Sequence, residues 1–133
     1  MTAATADRDT QRRPGTNFSY PMKGGAKIFT GTLVCLAAGL AVSGGPGGAC
    51  VGVAQETVDN TSGADGAATI SVRRGELWRF DNSAAADQIT LADVGSNAYI
   101  VDDSTVAKTN GGGTRSVAGQ IRDVDSQGVW VAL

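Results

Sequence analysis

Few residues in this chain have types and spacing that could do chemistry. There is no histidine, which removes the commonest general base and metal ligand and makes a Ser-His-Asp arrangement impossible. Two carboxylate pairs, Asp102-Asp103 and Asp123/Asp125, sit beside turn-forming residues, where solvated acids are ordinary. Arg73-Arg74 has the fork geometry to hold a phosphate or carboxylate; pairing with acids on its own surface is the simpler expectation. Cys35 and Cys50 lack Cys-x-x-Cys spacing, so no zinc site is expected. Their apolar contexts, Val-Cys-Leu and Ala-Cys-Val, favour buried free thiols, although both fall in neighbouring expected strands and a bridge stays open.

Two loops invite ligand readings that their detail does not support. The glycine-rich run at 43–48 has no Gly-Lys-Ser/Thr ending and no helical pattern after it, so it lacks the parts of a phosphate cradle. The stretch 59–66 is rich in Asp, Asn and Gly, but its acids do not follow calcium-loop spacing and no helices flank it. No nucleophile, base and pocket signal coincide. The expectation is a protein that is not an enzyme, with no cofactor and no metal.

The element around which the chain is organised is 69–82, Thr-Ile-Ser-Val-Arg-Arg-Gly-Glu-Leu-Trp-Arg-Phe-Asp-Asn. Ile70 and Val72 alternate with Ser71 and Arg73; Leu77 and Arg79 then alternate with Trp78 and Phe80. Period-two alternation marks a strand with one buried face, and Gly75 suggests a bulge or tight bend where the faces swap. Further strands are expected at 26–35, at a short return ending near Val42, and at 49–54, 97–102 and 105–107. A closing hairpin is expected over 117–124 and 128–133, turning at 125–128. One helical turn is expected over 89–95. Seven or eight short, evenly spaced strands predict an all-β fold, a small antiparallel barrel or sandwich. Residues 1–22 are polar and read as an extended N-terminal arm, disordered when free, ahead of a β-rich domain at 23–133.

Composition agrees with a lean β-domain. Among 133 residues there are 19 glycines and only two Trp, two Tyr and three Phe, which favours short strands and tight turns. Net charge is −2, unevenly spread. Residues 1–27 hold five basic and two acidic groups, and the remainder six basic and eleven acidic. A basic arm on an acidic body argues against nucleic-acid binding by the body. The apolar stretch 28–42 has the outline of a signal core, but it starts late, is diluted by Thr30, Gly31 and Thr32, and falls short of the ~20 residues of a membrane span. Neither secretion nor membrane insertion is expected.

The order of motifs resembles the small head-decoration, or capsid-cement, proteins of tailed bacteriophages. The residues that carry the resemblance are Lys-Ile-Phe-x-Gly-x-Leu-Val at 27–34, Val-Gly-Val-Ala at 51–54, Glu-Thr-Val-Asp-Asn at 56–60 and Gly-Ala-Ala at 66–68. They continue with the 72–82 stretch, Ala-Asp-Val-Gly at 92–95, Tyr99, Val-Asp-Asp at 101–103, Val-Ala-Gly at 117–119 and Gly-Val-Trp-Val at 128–131. The likeness covers about residues 23–133 and lies in order and spacing. It implies a structural virion protein on the outer surface of the capsid, made in the host cytoplasm. Such a protein cements neighbouring major capsid subunits and stabilises the expanded head as a homo-oligomer, a trimer before a dimer. Under that reading Arg12, Arg13, Phe18 and Tyr20 are the capsid-contact candidates. Leu77, Trp78, Phe80 and Trp130 are candidates for core or oligomer interface. The alternatives are a surface adhesion or carbohydrate-binding module, for which Trp78, Tyr99 and Trp130 are the candidate aromatics, or another head or tail component.

Overall fold

A computed structural model describes residues 2–133 and is almost entirely β. The strands are β1 (Asn17–Pro21), β2 (Lys27–Ile28), β3 (Leu33–Ala37), β4 (Leu40–Ser43), β5 (Ala49–Ala54) and β6 (Val58–Asp59). They continue with β7 (Thr69–Arg73), β8 (Leu77–Asn82), β9 (Asn97–Ile100), β10 (Thr105–Ala107), β11 (Val117–Asp125) and β12 (Gly128–Ala132). They form a five-stranded antiparallel sheet in the order β1-β7-β5-β3-β4, a closed five-stranded barrel in the order β10-β8-β12-β11-β9, and a two-stranded pair, β2-β6. In the barrel, β10 runs parallel to β8 and antiparallel to β9, which closes the ring.

The organising stretch is two strands rather than one. β7 belongs to the sheet and β8 to the barrel. Gly75, with a φ of 94°, turns the chain between them, and its amide donates to the Leu133 carbonyl. Glycine suits this left-handed backbone because it has no Cβ to clash. The alternation itself holds: Ile70, Val72 and Phe80 are buried, and Ser71 and Arg79 are exposed. The strand expected over 26–35 is likewise broken, because residues 29–32 turn, with the Thr32 hydroxyl donating to the Phe29 carbonyl at 2.7 Å. The helical turn expected over 89–95 shrinks to a 3-10 turn, Leu91–Asp93, held by a Thr90–Asp93 capping box.

The arm is shorter than its composition suggests. Residues 17–21 are a strand in full register with β7, Phe18 opposite Val72 and Tyr20 opposite Ile70, and Met22 is completely buried. Phe18, Tyr20 and Met22 are spaced at i, i+2 and i+4, a strand period that the surrounding polar residues dilute. Residues 2–15 are exposed and carry no strand or helix.

Two apolar clusters hold the molecule. One fills the barrel with Phe80, Ile89, Ala98, Ile100, Val106, Ala118, Ile121, Val129 and Val131, and it also takes in Leu33, Cys35 and Val53 from the sheet. The other comprises Met22, Ile28, Val34, Ala41, Ala54, Ile70 and Val72. The sheet curls around this second cluster, and its outer strands meet at a parallel bridge between Met22 and Ala41. The central strands β3 and β5 are therefore covered on both faces, one against the barrel and one within the curl, whereas β1 and β7 keep one face exposed.

Candidate interaction surface

The residues that could contact a partner gather where the exposed N-terminal segment joins β1. Along this strand, Phe18 and Tyr20 are half-buried and stack, with ring centroids 6.1 Å apart and planes 16° from parallel. The Arg13 guanidinium lies 5.6 Å from the Phe18 centroid, within cation–π range. These three side chains, with Asn17, Gln55 and Ser71, line an open groove of about 850 Å³. Arg13, Phe18 and Tyr20 thus lie together. Arg12 does not join this groove; with Gln11 and Arg13 it borders a separate depression of about 370 Å³.

The backbone at this place is also open to a partner. The Met22 amide donates to the Ala68 carbonyl, and the Arg74 amide donates to the Thr16 carbonyl. Even-numbered residues of β1 therefore bond toward β7. By the alternation of an antiparallel ladder, Asn17 and Ser19 turn their N–H and C=O groups the other way. β1 is the last strand on that side of the sheet, so this edge can accept another strand.

The four aromatic and apolar candidates of β8 and β12 separate. Phe80 is in the barrel core, and Trp78 packs against that core with its indole nitrogen buried and unpartnered by protein. Leu77 is 50% exposed and is not a core residue; it sits on the face of β8 opposite Trp78 and Phe80. Trp130 is half-buried on the barrel's outside, with the Arg79 guanidinium 5.7 Å from its ring and its indole N–H donating to the Asp125 carboxylate at 2.9 Å. Beside it, Asp81, Asn82, Gln88, Asp125 and Gln127 line a polar recess of about 400 Å³.

The remaining chemical candidates are quiet. Arg73 pairs with Glu76 at 2.5 Å, the kind of same-surface acid expected of it, and both are well exposed. Asp125 is held below the ordinary carboxylate range, first by the Trp130 indole and then by the Gln127 amide. Asp103 is pushed up by burial and by neighbouring Asp102. Cys35 and Cys50 are free thiols; burial raises both, Cys50 to about 11. Among the described residues no three His, Cys, Asp or Glu side chains cluster as metal ligands, and no helix is long and apolar enough to cross a membrane.

Two arrangements escape sequence reasoning. Asn60 is buried and donates to the carbonyls of Lys23 and Ala64, which fixes the 59–66 loop. Asn82 exchanges two hydrogen bonds with the Ile89 backbone and so pins that core residue. Each asparagine sits in a turn-like context, where solvent exposure is the default.

The fold and these surfaces define a small all-β protein built from a closed barrel and a curled sheet. Compared with protein families, curated proteins and solved structures, the chain matches none.

Proposed function

We propose that this protein is a structural binding protein that cements a larger assembly, in the manner of the bacteriophage head-decoration proteins it resembles. It would bind the outer face of an expanded capsid and bridge neighbouring major capsid subunits. The observation that carries the reading is the root of the N-terminal segment. An exposed chain leads into a cation–aromatic cluster, Arg13 over Phe18 beside Tyr20, next to a groove and a strand edge that can accept a partner strand. Strand addition supplies affinity through main-chain hydrogen bonds, and flanking pockets supply selectivity. A segment that orders only on its partner contributes no intramolecular packing beforehand. A protein that binds the expanded shell alone stabilises it by mass action, and many copies add their bridging effects.

The test is co-sedimentation of purified protein with expanded, undecorated capsids and with unexpanded ones. Saturable binding to the expanded shell, lost on deleting residues 2–15 and on Phe18→Ala, is the expected result. Binding to neither shell would overturn the proposal. A second reading, a carbohydrate-binding module, draws on one feature: Trp130 beside the polar recess of Asp81, Asn82, Gln88 and Gln127. Glycan-array binding abolished by Trp130→Ala would favour it instead.

A further inference from the structure

The geometry points to Cys35 and Cys50 as a cross-strand disulfide site, a dithiol pair that closes into a covalent staple between β3 and β5 on exposure to a small-molecule disulfide. The two residues are direct partners across the β3–β5 ladder. Residues paired in this way have Cα atoms about 4.5 or 5.5 Å apart, depending on whether the pair is hydrogen-bonded. Both spacings lie within the roughly 4.4–6.8 Å that a disulfide spans.

Facing is the stricter condition, and a bulge supplies it. Val34 pairs with Gly52 and Cys35 with Cys50, so Val51 is an extra residue on β5. Val53 faces the barrel cluster and Ala54 the curled-sheet cluster. In an unbroken strand Cys50 would follow Ala54 to the curled-sheet side, away from Cys35. The bulge reverses the alternation: Val51 packs with the curled-sheet cluster, and Cys50 packs with the barrel cluster beside Cys35. Gly52 makes the bulge possible, because at its φ of 139° a Cβ would lie 2.5 Å from the Arg73 carbonyl oxygen. A bulge that re-aims one side chain is a recognised use of the device. Here it brings two thiols onto one face.

The surroundings set the order of events. Cys35 is fully buried, and the Gly48 backbone lies so close over it that a Cβ there would be 2.6 Å from the Cys35 Cβ. Cys50 is only partly buried and is the point of entry. Its thiolate attacks oxidised glutathione, forms a mixed disulfide and releases one glutathione thiolate. The Cys35 thiolate then attacks the Cys50 sulfur and releases the second glutathione. The protein loses two electrons and two protons, and one glutathione disulfide becomes two thiols. Burial raises both thiols, Cys50 to about 11, so exchange should be slow at neutral pH and accelerate as pH rises, because the thiolate is the reactive form.

The test treats the full chain with oxidised glutathione at mildly alkaline pH and quenches with acid. The expected product is a monomer lighter by two hydrogens, with no free thiol after unfolding and with one proteolytic fragment linking Cys35 to Cys50. Its melting temperature should rise by roughly 5–10 °C, as for a loop of about 15 residues. Cys35→Ser serves as the access control and should accumulate a stable glutathione adduct on Cys50. A glutathionylated wild type without the internal link would overturn the proposal. So would disulfide-linked dimers, or an adduct in Cys35→Ser while the wild type keeps two free thiols. Thiols inert in both proteins, or a linked form that melts lower, would overturn it equally.

Discussion

The barrel and the curled sheet each have five strands, and they treat their edges in opposite ways. The barrel closes: β10 completes the ring by pairing parallel to β8 and antiparallel to β9, so every barrel strand is paired on both sides. The sheet stops short of closure, since β1 and β4 are joined by a single bridge, Met22 to Ala41. Closure abolishes the hazard of unpaired backbone, whereas an open edge keeps the means to recruit another chain. The cores differ in the same sense. The barrel cluster draws Leu33, Cys35 and Val53 from the sheet, but the sheet's second cluster takes nothing from the barrel strands. The barrel leaves no strand unpaired on either side, and the sheet leaves the outer edge of β1 unpaired.

The sharpest way to break this contrast is to open the barrel core. Phe80→Ala should cost about 3–5 kcal/mol, the range for deleting a buried aromatic ring. Because sheet residues share that cluster, urea unfolding should remain one transition, shifted for both halves. A separate transition for the sheet would show that it folds without the barrel. Met22→Ala probes the other side of the comparison and should cost about 2–4 kcal/mol. It removes a fully buried side chain at the bridge between the sheet's edges, so hydrogen exchange should quicken first at β1 and β4 while the barrel amides stay protected.

How far the sequence foreshadows these features depends on how local each one is. Strands at 49–54 and 105–107 and the turn at 125–128 are readable because alternation and turn residues act over a few positions. The burial of Phe80 and the exposure of Arg79 follow from the same alternation. β1 is hidden because its partner, β7, lies about fifty residues on and its apolar residues are set among polar ones. The parallel closure of β10 on β8 and the meeting of Arg79 with Trp130 depend on long-range topology, which period and propensity do not encode. The candidate contact residues are partly legible: Phe18 and Tyr20 stand out as aromatics in a polar stretch. That Arg13, rather than Arg12, meets Phe18 is a matter of local chain direction.

Buried polar groups give a smaller test of the sheet side. Asn60→Ala leaves the carbonyls of Lys23 and Ala64 without their donor, and should cost about 1–3 kcal/mol in chemical denaturation. Asn60→Asp should recover little, because a carboxylate cannot donate to carbonyls. Acid sensitivity is a weaker effect. Asp59, Asp87 and Asp125 all have carboxyls lowered from the usual 3.8 by hydrogen bonds. A depressed folded value means stability present above the unfolded value and lost as pH falls through the folded one. Thermal stability should hold above about pH 5 and decline below 3.8, with Asp125→Asn flattening part of the decline. Asp103, raised by burial and by Asp102, works in the opposite sense, so Asp103→Asn should stabilise slightly at neutral pH.

The smallest expected effect on stability bears most directly on the open edge. Deleting residues 2–15 removes only exposed chain and keeps Thr16, whose carbonyl accepts from the Arg74 amide. What the deletion takes from the folded body is the Arg13 guanidinium over the Phe18 ring, worth about 0.5 kcal/mol at an exposed site. The melting temperature should therefore move by no more than about 2 °C, far less than for Met22→Ala. If the deletion destabilises as much as Met22→Ala, residues 2–15 pack as part of the fold and the division between a rigid body and a free segment fails. If stability holds but capsid binding vanishes, the segment's interactions are made with a partner. Unchanged stability with unchanged binding would move the binding surface onto the strand edge of Asn17 and Ser19 or onto the barrel, and Ser19→Pro, which removes one outward amide from β1, would distinguish those two.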